Sequence, residues 1–350
     1  MVDSICNELI LKKSRLPQEI KSIYFGGGTP SILPEMAFRK IFETLYSTFQ
    51  VSKDAEITIE ANPDDLNIAQ LRVFKQLPVN RFSIGVQSFY DEDLKWMNRA
   101  HSAMEAESSI KRAQDVGFEN LTIDLIYGYP LLSDEKWANN LEMAIQLETP
   151  HVSAYAMTVE PKTALAHAIQ HGKQPKIDEA QSAKQFTRMV SMLKSAQFEQ
   201  YEISNFAKNK QYAVHNTNYW KGIPFIGIGP SAHGFDGQYR YFNIANNQSY
   251  LHQLQKNELA EASEKLSQED QFNEYVMTSL RTMWGLDLSY IKNKFGDNPL
   301  NLVEEEIQRN LKKGNLIYTS SHLILTEQGK LYADRIASDL FLMGGDLEKQ

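Results

Sequence analysis

From Ser22 to about residue 197 the chain alternates short β-like runs with helix-periodic stretches, an order that few architectures accept. The runs are Ser22–Phe25, Glu56–Glu60, Arg81–Val86, Asn120–Tyr127 and His151–Met157. Helical periodicity fills roughly 35–49, 66–76, 91–116, 134–147 and 178–197. A helical crossover returns the chain to the same end of the sheet, so strands spaced this way run parallel, with right-handed connections. Five such units predict an α/β fold, either a curved parallel sheet or part of a (β/α) barrel. In both, ligands gather at the carboxyl ends of the strands. At 350 residues the chain has room for about two domains.

The flanks read differently. Val2, Ile5, Cys6, Leu9 and Ile10 recur at three- and four-residue steps, which predicts a helix over the first sixteen residues, ended by Pro17. Cys6 lies on its apolar face and is expected as a buried structural thiol. After residue 266, helices 268–283 and 299–313 precede a hairpin of Asn315–Tyr318 and His322–Thr326, with a last helix from 327. Leu300, Val303, Ile307 and Leu311 stripe the second helix, and Lys312, Lys313 and Gly314 close it. Helices followed by a hairpin make a winged-helix-like α+β module. Its nine Lys/Arg against thirteen Asp/Glu argue for packing or docking and against reading DNA. The expected division is 1–205, a connecting segment 206–265, and 266–350.

Charge and cysteine content exclude several classes. Thirty-six basic and 44 acidic side chains give a net charge of −8, which opposes nucleic-acid binding and leaves membrane association at most peripheral. No apolar run approaches the ~18 residues of a transmembrane helix. The start, MVDSICNELILKK, lacks signal-peptide order, so a cytoplasmic location is expected. One cysteine allows neither an internal disulfide nor a self-contained thiolate metal site.

Several residues stand out for chemistry. Gly26-Gly27-Gly28-Thr29-Pro30 directly follows a strand, and three glycines let a polar ligand approach main-chain N–H groups. A tight turn needing positive φ explains it equally well. No Lys-Ser/Thr follows at P-loop spacing. In Glu56–Glu60 the polar set Glu56, Thr58 and Glu60 shares one face, with Glu60 at the strand's end. A carboxylate there serves either a ligand or the next turn. Ser83, Gly85 and Gln87 likewise share a face, with Gln87 at the rim as a neutral donor and acceptor. Arg99, opening a helical region, offers a bidentate clamp for a carboxylate, or is a solvated surface arginine. Asp124 interrupts the apolar strand Leu121–Tyr127, where a charge is costly unless it meets a cation or a ligand. His151, His167, His171 and His322 sit in no metal-ligand spacing, and His101 reads as a packing residue. His215 and His233 lie in Gly-, Asn- and aromatic-rich surroundings, where imidazole suits haem iron or a structural hydrogen bond.

As a set, these segments are specific. YFGGGTPS, EANP, RFSIGVQSF, MNRAHS, IDLIYGYP and YEISNFA, followed by HNTNYW and GIGPSAHG, occur here in one order. In that order the chain resembles the oxygen-independent coproporphyrinogen III dehydrogenase (oxidase) family of radical S-adenosylmethionine (SAM) proteins, nearest its haem-chaperone, HemW-like branch. The resemblance implies a partial (β/α)6 barrel holding SAM and a [4Fe–4S] cluster. It places Gly27, Gly28 and Thr29 at the methionine end of SAM and Glu60, Gln87, Arg99 and Asp124 in the same site. Tyr155–Thr158 and Pro230–His233 would close that pocket. It further implies haem as cargo, with His215 or His233 as contacts and respiratory proteins as recipients. The alternatives are radical decarboxylation of propionate side chains to vinyl groups in porphyrin biosynthesis, or a cluster-free scaffold.

One departure matters. The family opens with a strand and a CxxxCxxC loop, whereas here Cys6 is the only cysteine. The expectation is therefore an N-terminally truncated chain, lacking its first barrel strand and cluster loop, with the first helix's apolar face left without its partner. A [4Fe–4S] cluster is then expected only in an extended chain.

Overall fold

The computed structural model describes residues 1–16 and 18–344, so the stop expected at Pro17 lies outside the described residues. The chain begins with α1 (Val2–Leu11), β1 (Ile20–Phe25), α2 (Glu35–Thr48) and β2 (Val51–Ala61). It continues through α3 (Ile68–Lys75), β3 (Arg81–Gln87), α4 (Asp91–Trp96), α5 (Ala103–Asp115) and β4 (Asn120–Tyr127). Next come α6 (Asp134–Gln146), β5 (His151–Ala156), α7 (Ala164–Gln170), α8 (Glu179–Ser195), β6 (Glu199–Gln200) and β7 (Asn205–Ala207). These seven strands form one sheet in the order β1-β2-β3-β4-β5-β7-β6. The run β2 to β5 is parallel, as the helical crossovers require. Beyond it β7 runs antiparallel to β5, and β6 antiparallel to β7. A tight connection at 201–204 joins β6 to β7, and without a crossover helix it reverses the strand.

By contacts the chain forms two units: Met1–Ile23, Pro34–Ala55 and Ala213–Gln350, and Tyr24–Leu33 with Glu56–Tyr212. In the second, each strand divides its side chains by chemistry. Leu121, Ile123, Leu125 and Tyr127 of β4 are buried on one face, while Thr122 and Asp124 take the other. The apolar face meets helices. Phe82 of β3 packs edge-on between Phe74 (5.3 Å) and Phe118 (4.8 Å). Trp137 of α6 is fully buried and donates its indole N–H to Gln185 O (2.9 Å).

The helix expected over 91–116 is two helices. Asn98 adopts φ +56°, ending α4, and Ser102 caps α5 through a reciprocal capping box with Glu105. The excursion between β5 and α8 carries α7, where no element was expected.

In the first unit, α1 packs on α2 and on α10 (Asn247–Gln255). Cys6 is buried there, its Sγ 3.8 Å from Lys40 O, but Ile10 of the expected apolar face is 56% exposed. The face therefore has a partner. Beneath it Glu8 and Lys12 pair at 2.6 Å, both almost wholly buried. Glu8 accepts from Gly229 N (2.8 Å), Asn243 Nδ2 (2.6 Å) and the Tyr250 hydroxyl. Lys12 donates to Gly227 O and Asn243 Oδ1, each at 2.9 Å. The pair pins the GIGPSAHG loop, where a Cβ on Gly227 would sit 2.0 Å from His233 O, so only glycine fits. The connecting segment folds as α9 (Val214–Trp220) and the antiparallel strands β8 (His233–Phe235), β9 (Tyr239–Asn243) and β10 (Glu261–Lys265).

The C-terminal module has the winged-helix-like order of helices then hairpin. It comprises α11 (Gln268–Leu280), β11 (Leu286–Asp287), α12 (Leu288–Phe295), α13 (Asn298–Lys312), β12 (Leu316–Thr319), β13 (His322–Leu325) and two short terminal helices, Glu327–Lys330 and Ala333–Asp339. The helix α12, absent from the sequence reading, is started by Asp287, whose carboxylate accepts from Ser289 N (2.8 Å) and Tyr290 N (3.2 Å).

Candidate functional site

The polar faces of the strands converge in the second unit. After β1 the backbone turns at Gly26–Gly28, with φ of +76° at Gly27 and +70° at Gly28, a left-handed course that glycine takes without strain. The amide of Gly27 donates to Glu60 Oε2 (3.1 Å), and the Tyr24 phenol donates to Glu60 Oε1 (2.7 Å). A Cβ on Gly26 would lie 2.6 Å from the Tyr24 ring, whereas one on Gly27 or Gly28 would meet nothing within 4 Å. The elbow is packed at its first glycine and open at the next two. Thr29 follows as the N-cap of a single 3-10 turn, Pro30–Ile32.

Gln87 ends β3 in the left-handed region, φ +68°, where the register with β4 is irregular. The break between α4 and α5 aims Arg99 back at the same strand ends. Its Nη2 donates to Asn62 Oδ1 (2.8 Å) and Gly85 O (3.4 Å). Arg99 thus lies between two helices and does not open one. A Cβ on Gly85 would stand 3.0 Å from Gln87 Nε2 and 3.1 Å from Arg99 Nη2, so the missing side chain makes room for both.

On β4, Asp124 receives the Ser83 hydroxyl at 3.1 and 3.0 Å from its two oxygens. Burial pushes this carboxyl up to about 7; hydrogen bonds from Ser83 and Ser153 and the Arg81 charge oppose that push, and the Glu60 charge adds to it. Among the described residues it is hydrogen-bonded but joins no ion pair. Glu60 stands opposite Ser83 and Asp124 opposite Ser153 in the sheet register. Gly27, Glu60, Gln87, Arg99 and Asp124 therefore ring the carboxyl ends of neighbouring strands, together with Ser83, which the sequence sets on the same face as Gln87, and with Tyr24, Asn62 and Ser153, which it does not single out.

A second polar layer lies deeper, and sequence reasoning missed it. Arg81 is buried beside Glu56 (3.5 Å) and donates to Thr122 Oγ1. Thr122 Oγ1 is 3.1 Å from His151 Nδ1, and His151 Nε2 is 2.8 Å from the Tyr201 hydroxyl. Burial first, then the Arg81 charge, hold His151 well below the usual imidazole value, so it is neutral. His101 packs as expected, buried with Nε2 3.0 Å from Val86 O.

The two haem candidates belong to the first unit. His215 lies on α9 with Nδ1 3.3 Å from Ser22 Oγ; His233 is exposed, its ring edge-on to Phe242 at 5.1 Å. Among the described residues no group of three His, Cys, Asp or Glu side chains is placed to share a metal ion, and Cys6 is buried. These residues do not fit a thiolate-held cluster. They fit an amino-acid nucleoside: an open glycine elbow, a guanidinium fixed by Asn62 and Gly85, and two carboxylates with acceptor capacity to spare.

Comparison with known proteins bears on the fold and the family. The model of the radical SAM superfamily matches residues 7–144, and that of the HemN C-terminal domain matches 266–332. The heme chaperone HemW of Bacillus subtilis (strain 168) is 32% identical over 320 residues, covering 91% of this chain and 84% of that protein. HemW of Escherichia coli (strain K12) is 36% identical over 236 residues, 67% of this chain and 60% of its own length. Among solved structures, the radical SAM enzyme coproporphyrinogen III oxidase (HemN) from Escherichia coli aligns with a TM-score of 0.82 at 21% identity, over 97% of this chain and 82% of that one, which establishes the α/β radical SAM fold. With sequence identity extending over most of both chains, and both family models in their proper order, this chain belongs to the HemW family of radical SAM proteins.

Proposed function

We propose that this protein is a cytoplasmic haem-binding chaperone that holds SAM in the strand-end ring and passes haem to respiratory proteins. The observation that carries the SAM assignment is the donor set around the open glycine elbow. Arg99, held by Asn62, takes the methionine carboxylate. Glu60 and Asp124 accept from the ammonium and ribose hydroxyl groups, and Gln87 adds a neutral partner. Gly27, Gly28 and Thr29 line the methionine end, where missing side chains let the ligand reach the main chain. When bound, SAM supplies a carbon–sulfur bond that one electron can cleave. The haem assignment is supported by the relatives' function as heme chaperones, with His215 and His233 as candidate contacts. Among the described residues no helix is long and apolar enough to cross a membrane.

Calorimetric titration with SAM and absorbance titration with haem test the two halves separately. Wild type should bind both, Arg99→Ala and Asp124→Asn should lose SAM but keep haem, and His215→Ala or His233→Ala should weaken haem alone. SAM affinity unchanged in the first two variants refutes the ring. Conversion of coproporphyrinogen III to a vinyl product would favour the dehydrogenase reading instead.

A further inference from the structure

The excursion Met157–Ile177 carries α7, and no residue of that helix is buried. The Thr163 hydroxyl caps its start, accepting from Ala166 N (3.2 Å), and Trp96 Nε1 donates to Gln174 Oε1 (3.1 Å) near the excursion's end. His167 and His171 stand four residues apart, and one helical turn brings such positions onto one face. Their ring centroids are 4.0 Å apart, with the planes inclined at 53°. The His171 amide completes the turn on His167 O (3.1 Å), and its Nδ1 lies 2.8 Å from the same carbonyl oxygen. A carbonyl only accepts, so Nδ1 carries the hydrogen and Nε2 keeps its lone pair. Metal-binding histidines are held in this way, with the back nitrogen on a carbonyl that fixes tautomer and ring plane. Both residues are exposed, on the side of the helix away from the half-buried Leu165 and Ile169. The two histidines form no metal spacing in an extended chain; helix α7 creates one.

We propose that His167 and His171 form a two-imidazole site for a divalent transition-metal ion such as Zn²⁺, Ni²⁺ or Cu²⁺, with water in the remaining positions. Imidazole nitrogens bind these ions at ~2.0–2.1 Å, so two rings a few ångströms apart share one after small side-chain rotations. A nitrogen-only donor pair selects such ions over Mg²⁺ and Ca²⁺, which take oxygen ligands. An ion across the last turn also fixes a helix whose own apolar face is only half-buried, which couples metal to order in the excursion after β5.

The test uses the full chain and Cu²⁺ as a paramagnetic probe, then Zn²⁺ for hydrogen exchange. Wild type should give an electron paramagnetic resonance spectrum with two imidazole nitrogens. His167→Ala and His171→Ala should each reduce it to one, and the double variant should lose it. Zn²⁺ should slow exchange of the α7 amides in wild type and not in the double variant. Equal spectra in wild type and double variant, or equal protection by Mg²⁺, would overturn the site.

Discussion

Replacing Asp124 by asparagine should make the protein more stable above neutral pH while removing SAM binding. An ordinary aspartate ionises near 3.8, and burial in the ring raises Asp124 to about 7. Between those values the folded state holds a proton that the unfolded chain has released. Stability contributed by this group therefore falls as pH rises from about 4 to 7, and the full penalty persists above that window. At about 1.4 kcal/mol per pH unit the gap corresponds to roughly 4 kcal/mol of unfavourable ionisation at pH 8. Asparagine keeps an oxygen for the Ser83 hydroxyl and has no charge to bury. Its new amide hydrogens cost about 1–3 kcal/mol where they find no acceptor. The net expectation is a gain of roughly 1–3 kcal/mol at pH 8, shrinking to nothing or a small loss near pH 4.

Urea denaturation of wild type and Asp124→Asn at pH 4.5, 6, 7 and 8 measures the difference directly. Other titrating groups, His151 among them, are common to both proteins and cancel. Should the variant be less stable than wild type at pH 8, the carboxylate is anchored by Arg81 and Ser83 as a structural ion, and its reservation for a ligand is wrong. A difference that does not vary with pH would equally defeat the burial argument.

Gly27→Val should lose SAM affinity and lower stability by about 1–2 kcal/mol; the space is open, so the strain comes from its φ of +76°, and calorimetry showing unchanged affinity would contradict the elbow's role. His151 is held neutral by burial, so wild type should lose stability as pH falls below the imidazole's ordinary 6.5, where the unfolded chain takes up a proton that the folded one refuses. In His151→Gln that acid slope should flatten, as read by thermal melts across pH 5 to 8. Glu8→Ala leaves the buried Lys12 with Glu261 at 3.1 Å as its remaining carboxylate, and should cost about 3–5 kcal/mol in chemical denaturation. A loss within 1 kcal/mol there would show that the pair is not what pins the Gly227–Gly229 loop.

The strands and their order were legible because each carries its own signal, an apolar face toward helices alternating with a polar face inward. Asp124 was legible for the same reason, as a charge that its apolar neighbours do not explain. Arg81 and His151 obey the same alternation, yet their meaning lies in partners on adjacent strands, and register between strands is not written in any one of them. The break between α4 and α5 did carry local marks, Asn98 and the Ser102-x-x-Glu105 box, but the apolar periodicity ran straight through them. Helix α7 buries no residue fully, and its half-buried face of Leu165, Ala166, Ala168 and Ile169 is too short to stand out as a periodic pattern. The strands β8 to β10 pair with one another and, at Phe235, with Phe225, through contacts that no single run encodes.

What separates the two polar layers is where their spare hydrogen-bonding capacity lies. In the deeper one the groups are engaged in a row: Glu56 with Arg81, Arg81 with Thr122, Thr122 with His151, His151 with Tyr201. A neutral imidazole between two hydroxyls completes that row, although Arg81 Nε and Thr58 Oγ1 beside it are buried without a hydrogen-bond partner among the described residues. In the upper layer Asp124 meets the hydroxyls of Ser83 and Ser153, and Glu60 has one donor on each oxygen. Each carboxylate oxygen has two lone pairs, so acceptor sites outnumber donors there. Spare lone pairs of this kind are what a donor-rich ligand completes. The same strands thus build a linked floor and a rim whose spare capacity is for hydrogen-bond donors, the groups that an ammonium and ribose hydroxyls bring.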